Sequence, residues 1–114
     1  MMFFRRKMDL VYAAKKRYDY LSNVFELQVQ HFEEFGFEPP IDVDAELERG
    51  SNLVRQFELI RKDPVKNLFE RAERKSMLVG FERIFIALGD DLEEEIQVLC
   101  DDWNRQFRET YKEN

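Results

Sequence analysis

The chain has 114 residues, of which 44% are hydrophobic and 37% charged, and its single cysteine excludes an intramolecular disulfide. This composition is too apolar for a disordered chain, and its small number of Gly and Pro residues favours helices. A net charge of −6 argues against nucleic acid as the main partner, because long-range attraction follows net charge. We expect one all-α domain spanning residues 1–114.

The first segment has the clearest helical periodicity. We predict one long amphipathic helix from Met8 to Phe35, which Gly36 and the Pro39–Pro40 pair bring to an end. At 1.5 Å per residue this helix is about 42 Å long. Its apolar stripe, spaced three and four residues apart, consists of Val11, Ala14, Tyr18, Leu21, Phe25, Gln28, Phe32 and Phe35.

Capping signals mark the next two helices. Asp42 or Asp44 is predicted to cap a second helix. Gly50-Ser51-Asn52 interrupts it, either as a weak spot or as a place where another helix approaches closely. Asp63–Pro64 predicts the start of a third helix. The inner face of that helix should carry Val65, Leu68, Phe69 and Ala72.

The apolar stripe changes face near Ser76. Either the chain breaks there, or one continuous helix is sandwiched between two partners. The residues that lie on the new face are Met77, Leu78, Phe81, Ile84, Phe85 and Leu88. We predict that Gly89 ends this segment and that Asp90 caps a final helix. Four or five helices with short connections then predict a bundle-like domain.

No catalytic, metal or cofactor motif stands out in the sequence. His31 is the one histidine and lies at the edge of the first helix's stripe, whereas zinc sites usually need several His or Cys ligands. Cys100 is followed by Asp101 and Asp102, and nearby negative charge disfavours a reactive thiolate. We therefore predict a protein that is not an enzyme and that holds no cofactor or metal.

The charges are distributed unevenly along the chain. Bases dominate residues 5–17 and 61–75, and the first of these segments contains Arg5, Arg6, Lys7, Lys15, Lys16 and Arg17. Acids dominate residues 90–102, which contain Asp90, Asp91, Glu93, Glu94, Glu95, Asp101 and Asp102. Three interpretations follow. The oppositely charged segments attract each other, the basic segments bind nucleic acid or a membrane surface, or the acidic run mimics phosphates in a partner's groove.

The length of the first helix suggests a function. The later helices are predicted to be about 12 to 22 residues long, too short to cover a stripe of about 42 Å. Uncovered apolar patches usually mark interfaces. The predicted interface residues are Val11, Tyr18, Leu21, Phe25, Phe32 and Phe35. We expect an adaptor or regulatory protein that forms homo-oligomers or binds a protein partner through this helix. With no secretory signal and no apolar stretch of transmembrane length, it should be cytoplasmic.

Overall fold

The computed structural model describes the backbone of residues 2–112 and the side chains of residues 9–112. This part of the chain contains three α-helices and no strand: α1 (Met2–Glu34), α2 (Val43–Lys62) and α3 (Leu68–Thr110). The all-α prediction is confirmed. The prediction of four or five helices is wrong, because the segments expected on either side of Ser76 and Gly89 form one helix of 43 residues.

Local signals fix most of the helix ends. α1 stops at Gly36, whose φ of 68° lies in the left-handed region that favours glycine. Of the two predicted caps of α2, Asp42 is the one used, because its Oδ1 accepts a hydrogen bond from the Ala45 amide at 3.1 Å. The predicted start of the third helix at Asp63–Pro64 is wrong. Asn67 is the cap instead, because its Oδ1 accepts from the Glu70 amide at 2.8 Å.

Two glycines inside helices mark close helix approach and not breaks. Gly50 is buried against Tyr18 of α1, and a Cβ at this position would collide with the Tyr18 hydroxyl. Gly89 faces α1 as well, and its Cβ would lie 2.8 Å from Nη1 of Arg17. At each glycine the missing side chain leaves room for a residue of α1, and the helix itself continues without a break. The close-approach interpretation of Gly50 is thus confirmed, and the predicted helix end at Gly89 is wrong.

Contacts between residues on different helices define the helix directions. Arg17 meets Asp90, and further along both helices the Trp103 indole donates to the His31 carbonyl, so α1 and α3 run parallel. α2 runs antiparallel to both of them. Asp63, at the end of α2, pairs with Arg74 near the start of α3, whereas Glu46, near the start of α2, lies beside Glu95 further along α3. The result is an elongated molecule of 71 × 21 × 15 Å.

Aromatic side chains form much of the core. Phe57 of α2 is fully buried, and its ring lies 5.4 Å from the rings of both Phe81 and Phe85 and 5.9 Å from Tyr12. Toward the other end, beyond the start of α2, aromatic rings from the loop after α1 and from α3 pack together; they include Phe35, Phe37, Trp103 and Phe107. α2 therefore covers one part of the α1–α3 pair, and the loop after α1 covers another.

The first turns of α3 are not packed against the rest of the protein. Leu68 and Phe69 are 79% and 72% exposed, and Ala72 is exposed as well, so the prediction that they line an inner face is wrong. The reason is geometric. α2 has already ended at the level of Arg74, which pairs with Asp63 at 3.8 Å. The six residues of α3 before Arg74 extend about 9 Å beyond that level.

Candidate interaction surfaces

The predicted interface stripe of α1 is part of the protein's own core. Val11, Phe25 and Phe32 are completely buried, and Tyr18 is 6% exposed. Leu21 is half-buried and Phe35 is 41% exposed. The premise that the later helices are too short to cover α1 is wrong, because α3 has 43 residues and runs alongside it. Most of the predicted interface stripe is therefore covered within the chain itself.

The middle of α3 carries a half-exposed apolar strip on its flank, and Met77 at one end of this strip borders Ile60 and Asp63 where α2 ends. We call this strip the outer face of α3; it consists of Met77, Gly80, Ile84 and Ala87, with Met77 46% and Ile84 47% exposed. At 100° per residue, Met77 and Ile84 lie about a quarter to a third of a turn from the buried side chains of Leu78 and Phe85, on the flank of the inner stripe. A Cβ placed on Gly80 would meet no atom within 4 Å. The described chain leaves this apolar face about half-exposed.

The fold brings both predicted basic segments to one end of the molecule. The Arg17–Asp90 contact and the Tyr18–Gly50 contact lie at one level and divide the protein in two. The basic half, residues 2–16 and 51–89, contains 13 Lys and Arg but six Asp and Glu. The acidic half, residues 17–50 and 90–112, contains 17 Asp and Glu but five Lys and Arg. A protein with a net charge of −6 thus has a strongly positive end.

The predicted anion-binding residues of α1 have different surroundings. Lys15 is paired with Asp19 at 2.8 Å, whereas Lys16 is exposed. Arg17 bonds Asp90 at 2.8 Å and Glu93 at 2.7 Å, and these two carboxylates raise the pKa of its guanidinium. The basic and acidic segments therefore contact each other within one chain. The side chains of Arg5, Arg6 and Lys7 lie outside the described residues, although their backbone belongs to α1.

The acidic run does not form a single face. Asp90 and Glu93 are turned toward Arg17, and Asp102 accepts hydrogen bonds from Arg105 and Gln106 at 2.8 and 2.7 Å. Gln106 also donates to the Glu38 carbonyl at 2.8 Å, which ties the loop after α1 to α3. Asp90 and Glu93 are exposed too but are engaged by Arg17, so the exposed members that form no ion pair among the described residues are Asp91, Glu94 and Asp101. A phosphate-mimicking surface would have to be built from these three.

One acid of the run lies in an unusual environment between α2 and α3. Glu95 is half-buried, and its Oε2 has no hydrogen-bond partner among the described residues. Burial and, next, the neighbouring Glu46 carboxyl raise the pKa of Glu95 to about 7. Arg49 opposes this rise, and Asp91 adds to it. Nothing in the sequence pattern predicted this pair, because Glu46 and Glu95 are brought together by the antiparallel packing of α2 on α3.

The other residues considered for chemistry remain separate. His31 is exposed at the end of α1, with its ring 6.2 Å from that of Trp103, and Cys100 is half-buried on α3. The described residues contain no group of three His, Cys, Asp or Glu arranged to hold a metal ion. No described helix has an apolar stretch long enough to cross a membrane.

The comparisons with known proteins found no family model, no curated protein and no solved structure that matches this chain.

Proposed function

We propose that this protein is a non-enzymatic helical interaction protein, and that it associates with a second copy of itself through the outer face of α3. The observation that carries the proposal is the apolar strip of Met77, Gly80, Ile84 and Ala87, which the chain's own helices leave about half-exposed. Exposed apolar patches of this kind usually mark interfaces.

The order of large and small residues on the outer face favours a second copy as the occupant. Ile84 projects from the helix, and Gly80, one turn away, leaves open space in front of its backbone. In a two-fold antiparallel pair, Ile84 of each chain can enter the space before Gly80 of the other, because such an interface uses the same patch twice. Arg83 is the one charged residue between Met77 and Ala87 on this side, so little charge would be desolvated.

Light scattering coupled to size-exclusion chromatography tests this proposal. We expect the purified chain to be dimeric at high concentration and Ile84→Asp to be monomeric, because a carboxylate would be buried in the interface. Leu59→Asp is the matched control, since Leu59 is 66% exposed on α2, away from the outer face. It should remain dimeric, with circular dichroism confirming that both variants are folded.

Two results would overturn the proposal. One is a wild-type chain that remains monomeric at the highest soluble concentration. The other is a dimer that Leu59→Asp weakens as much as Ile84→Asp does, since the outer face would then have no special role.

A further inference from the structure

The basic end of the molecule combines positive charge with the two large apolar side chains that are most exposed among residues 9–112. We propose that this end is a binding site for an anionic lipid surface. We call the site the basic tip and define it by Lys62, Lys66, Leu68, Phe69 and Arg71, all of which are exposed. The proposal is independent of the outer face of α3, since it uses other residues.

The apolar part of the tip is placed for insertion. Leu68 and Phe69 are 79% and 72% exposed on the part of α3 that extends beyond the end of α2. Water-exposed Leu and Phe side chains at a protruding end lose apolar contact with water when they enter the boundary between lipid headgroups and acyl chains. No core requirement accounts for them, because they pack against neither α1 nor the body of α2.

The basic part of the tip supplies attraction to lipid headgroups. Residues 61–75 contain six bases and three acids, and the first turns of α1, which carry Arg5, Arg6 and Lys7 in the sequence, lie in the same half. Of the three acids, Asp63 pairs with Arg74, Glu70 accepts from the Lys66 amide at 2.7 Å and Glu73 is exposed, so the six bases outnumber them two to one. The exposed charge at the tip is therefore mainly positive, which matches the negative surface of an anionic membrane.

The protein's net charge is negative, which would oppose binding to an anionic surface, but its elongated shape keeps the acidic half away from the basic tip. Asp90 lies 22 residues beyond Leu68 on the same straight helix, which corresponds to about 33 Å. Electrostatic interactions in physiological salt decay over about 8 Å. When the protein binds end-on, the acidic half lies outside the range in which a membrane surface would repel it.

Lipid is favoured over nucleic acid by the chemistry of the tip. Both partners are polyanionic, and both would be attracted by Lys62, Lys66 and Arg71. An exposed Leu gains nothing from phosphates and cannot stack on bases as an aromatic ring does. Leu68 thus distinguishes the two partners, and its substitution becomes the decisive test.

The experiment measures co-sedimentation of the full chain with vesicles. We expect binding to phosphatidylcholine vesicles that contain phosphatidylserine, and no binding to pure phosphatidylcholine. Lys62→Glu with Arg71→Glu should lower the partition coefficient more than about twentyfold, because each surface base contributes about fivefold. Leu68→Ser should lower it about tenfold through lost apolar burial. Both sites are exposed, so the variants should fold as the wild type does.

A matched control separates the tip from net charge. Arg108→Glu with Lys112→Glu changes the net charge by the same amount at the opposite end of α3, where both residues are exposed. This variant should bind the vesicles as well as the wild type. Equal loss in the control and in the tip variant would overturn the proposal, because binding would then depend on overall charge.

The orientation has its own measurement. In a Phe69→Trp variant, the new indole should be quenched by lipids that carry brominated acyl chains. Trp103 in the wild-type chain should not be quenched, since it lies about 50 Å along α3 from the tip. Absence of vesicle binding, or quenching of Trp103 in the wild type, would overturn the end-on site. So would tighter binding to an oligonucleotide that Leu68→Ser leaves unchanged.

Discussion

At the residue scale, the contact between Gly50 and Tyr18 gives a prediction about stability. Gly50→Ala would place a methyl group on the Tyr18 hydroxyl. The Tyr18 ring cannot easily move aside, because its centre lies 5.8 Å from that of the buried Phe85 ring. We expect the free energy of unfolding to fall by about 1–3 kcal/mol, as overpacking usually costs, despite the higher helix propensity of Ala. Urea denaturation followed by circular dichroism measures this change.

A double-mutant cycle identifies the cause of that loss. Tyr18→Phe removes the hydroxyl that the new methyl group would meet, so the combined variant should be more stable than the two single losses predict. Additive losses would show that the hydroxyl contact is not the reason. The glycine was visible in the sequence, but its neighbour was not, because Tyr18 lies 32 positions earlier in the chain.

A second residue-scale prediction concerns pH. The pKa of Glu95 is raised to about 7, mainly by burial and then by Glu46, above a value of 4.5 for an unperturbed glutamate. The folded state therefore binds a proton between these two values that the unfolded state has lost. Stability should fall as pH rises through this window. In Glu95→Gln this loss should be absent, and the variant should be more stable than the wild type at pH 8.

Urea denaturation at several pH values between 4 and 8 measures the difference between the two proteins. Glu94→Gln is the matched control, because Glu94 is the exposed neighbour on the same helix. It should keep the pH dependence of the wild type. If Glu95→Gln kept that dependence as well, the Glu46–Glu95 contact would not be its source.

At the element scale, the length of α3 decides how the molecule is built. One helix of 43 residues provides the inner stripe that covers α1 and also extends beyond α2 at the basic tip. Helical periodicity alone indicated two faces on either side of Ser76 and left open whether the helix was continuous. The actual start had a readable signal, since Asn67 is followed three residues later by Glu70, an arrangement typical of capped helix starts.

The two glycines of α3 give opposite predictions. Gly80 faces open space, so Gly80→Ala should raise the free energy of unfolding by about 0.5–1 kcal/mol through helix propensity alone. Gly89→Ala is the comparison, because its methyl group would displace the Arg17 guanidinium 2.8 Å away and disturb the Arg17–Asp90 ion pair. Gly89→Ala should raise the free energy of unfolding less than Gly80→Ala does, or lower it. Thermal unfolding at low protein concentration, where association is suppressed, distinguishes the two.

At the scale of the whole molecule, the directions of the three helices decide which charged segments share a surface. Residues 5–17 and 61–75 were recognised as basic, yet their distance in the sequence says nothing about whether they meet. They lie in the same half because α1 and α3 run parallel and α2 returns between them. The same arrangement places the acidic run at the other end and allows Arg17 to pair with Asp90 where the two halves join.

The sequence by itself determined the helical class, the stop of α1 before Gly36 and a cap for α2 at Asp42 or Asp44. These features depend on periodicity and on hydrogen bonds between residues a few positions apart. Only the tertiary structure decided that the α1 stripe is core, that Gly50 and Gly89 are contact points, and that Leu68 and Phe69 are exposed. Those outcomes depend on which element lies opposite each face, and that is set by packing between residues far apart in the sequence, which local patterns do not encode.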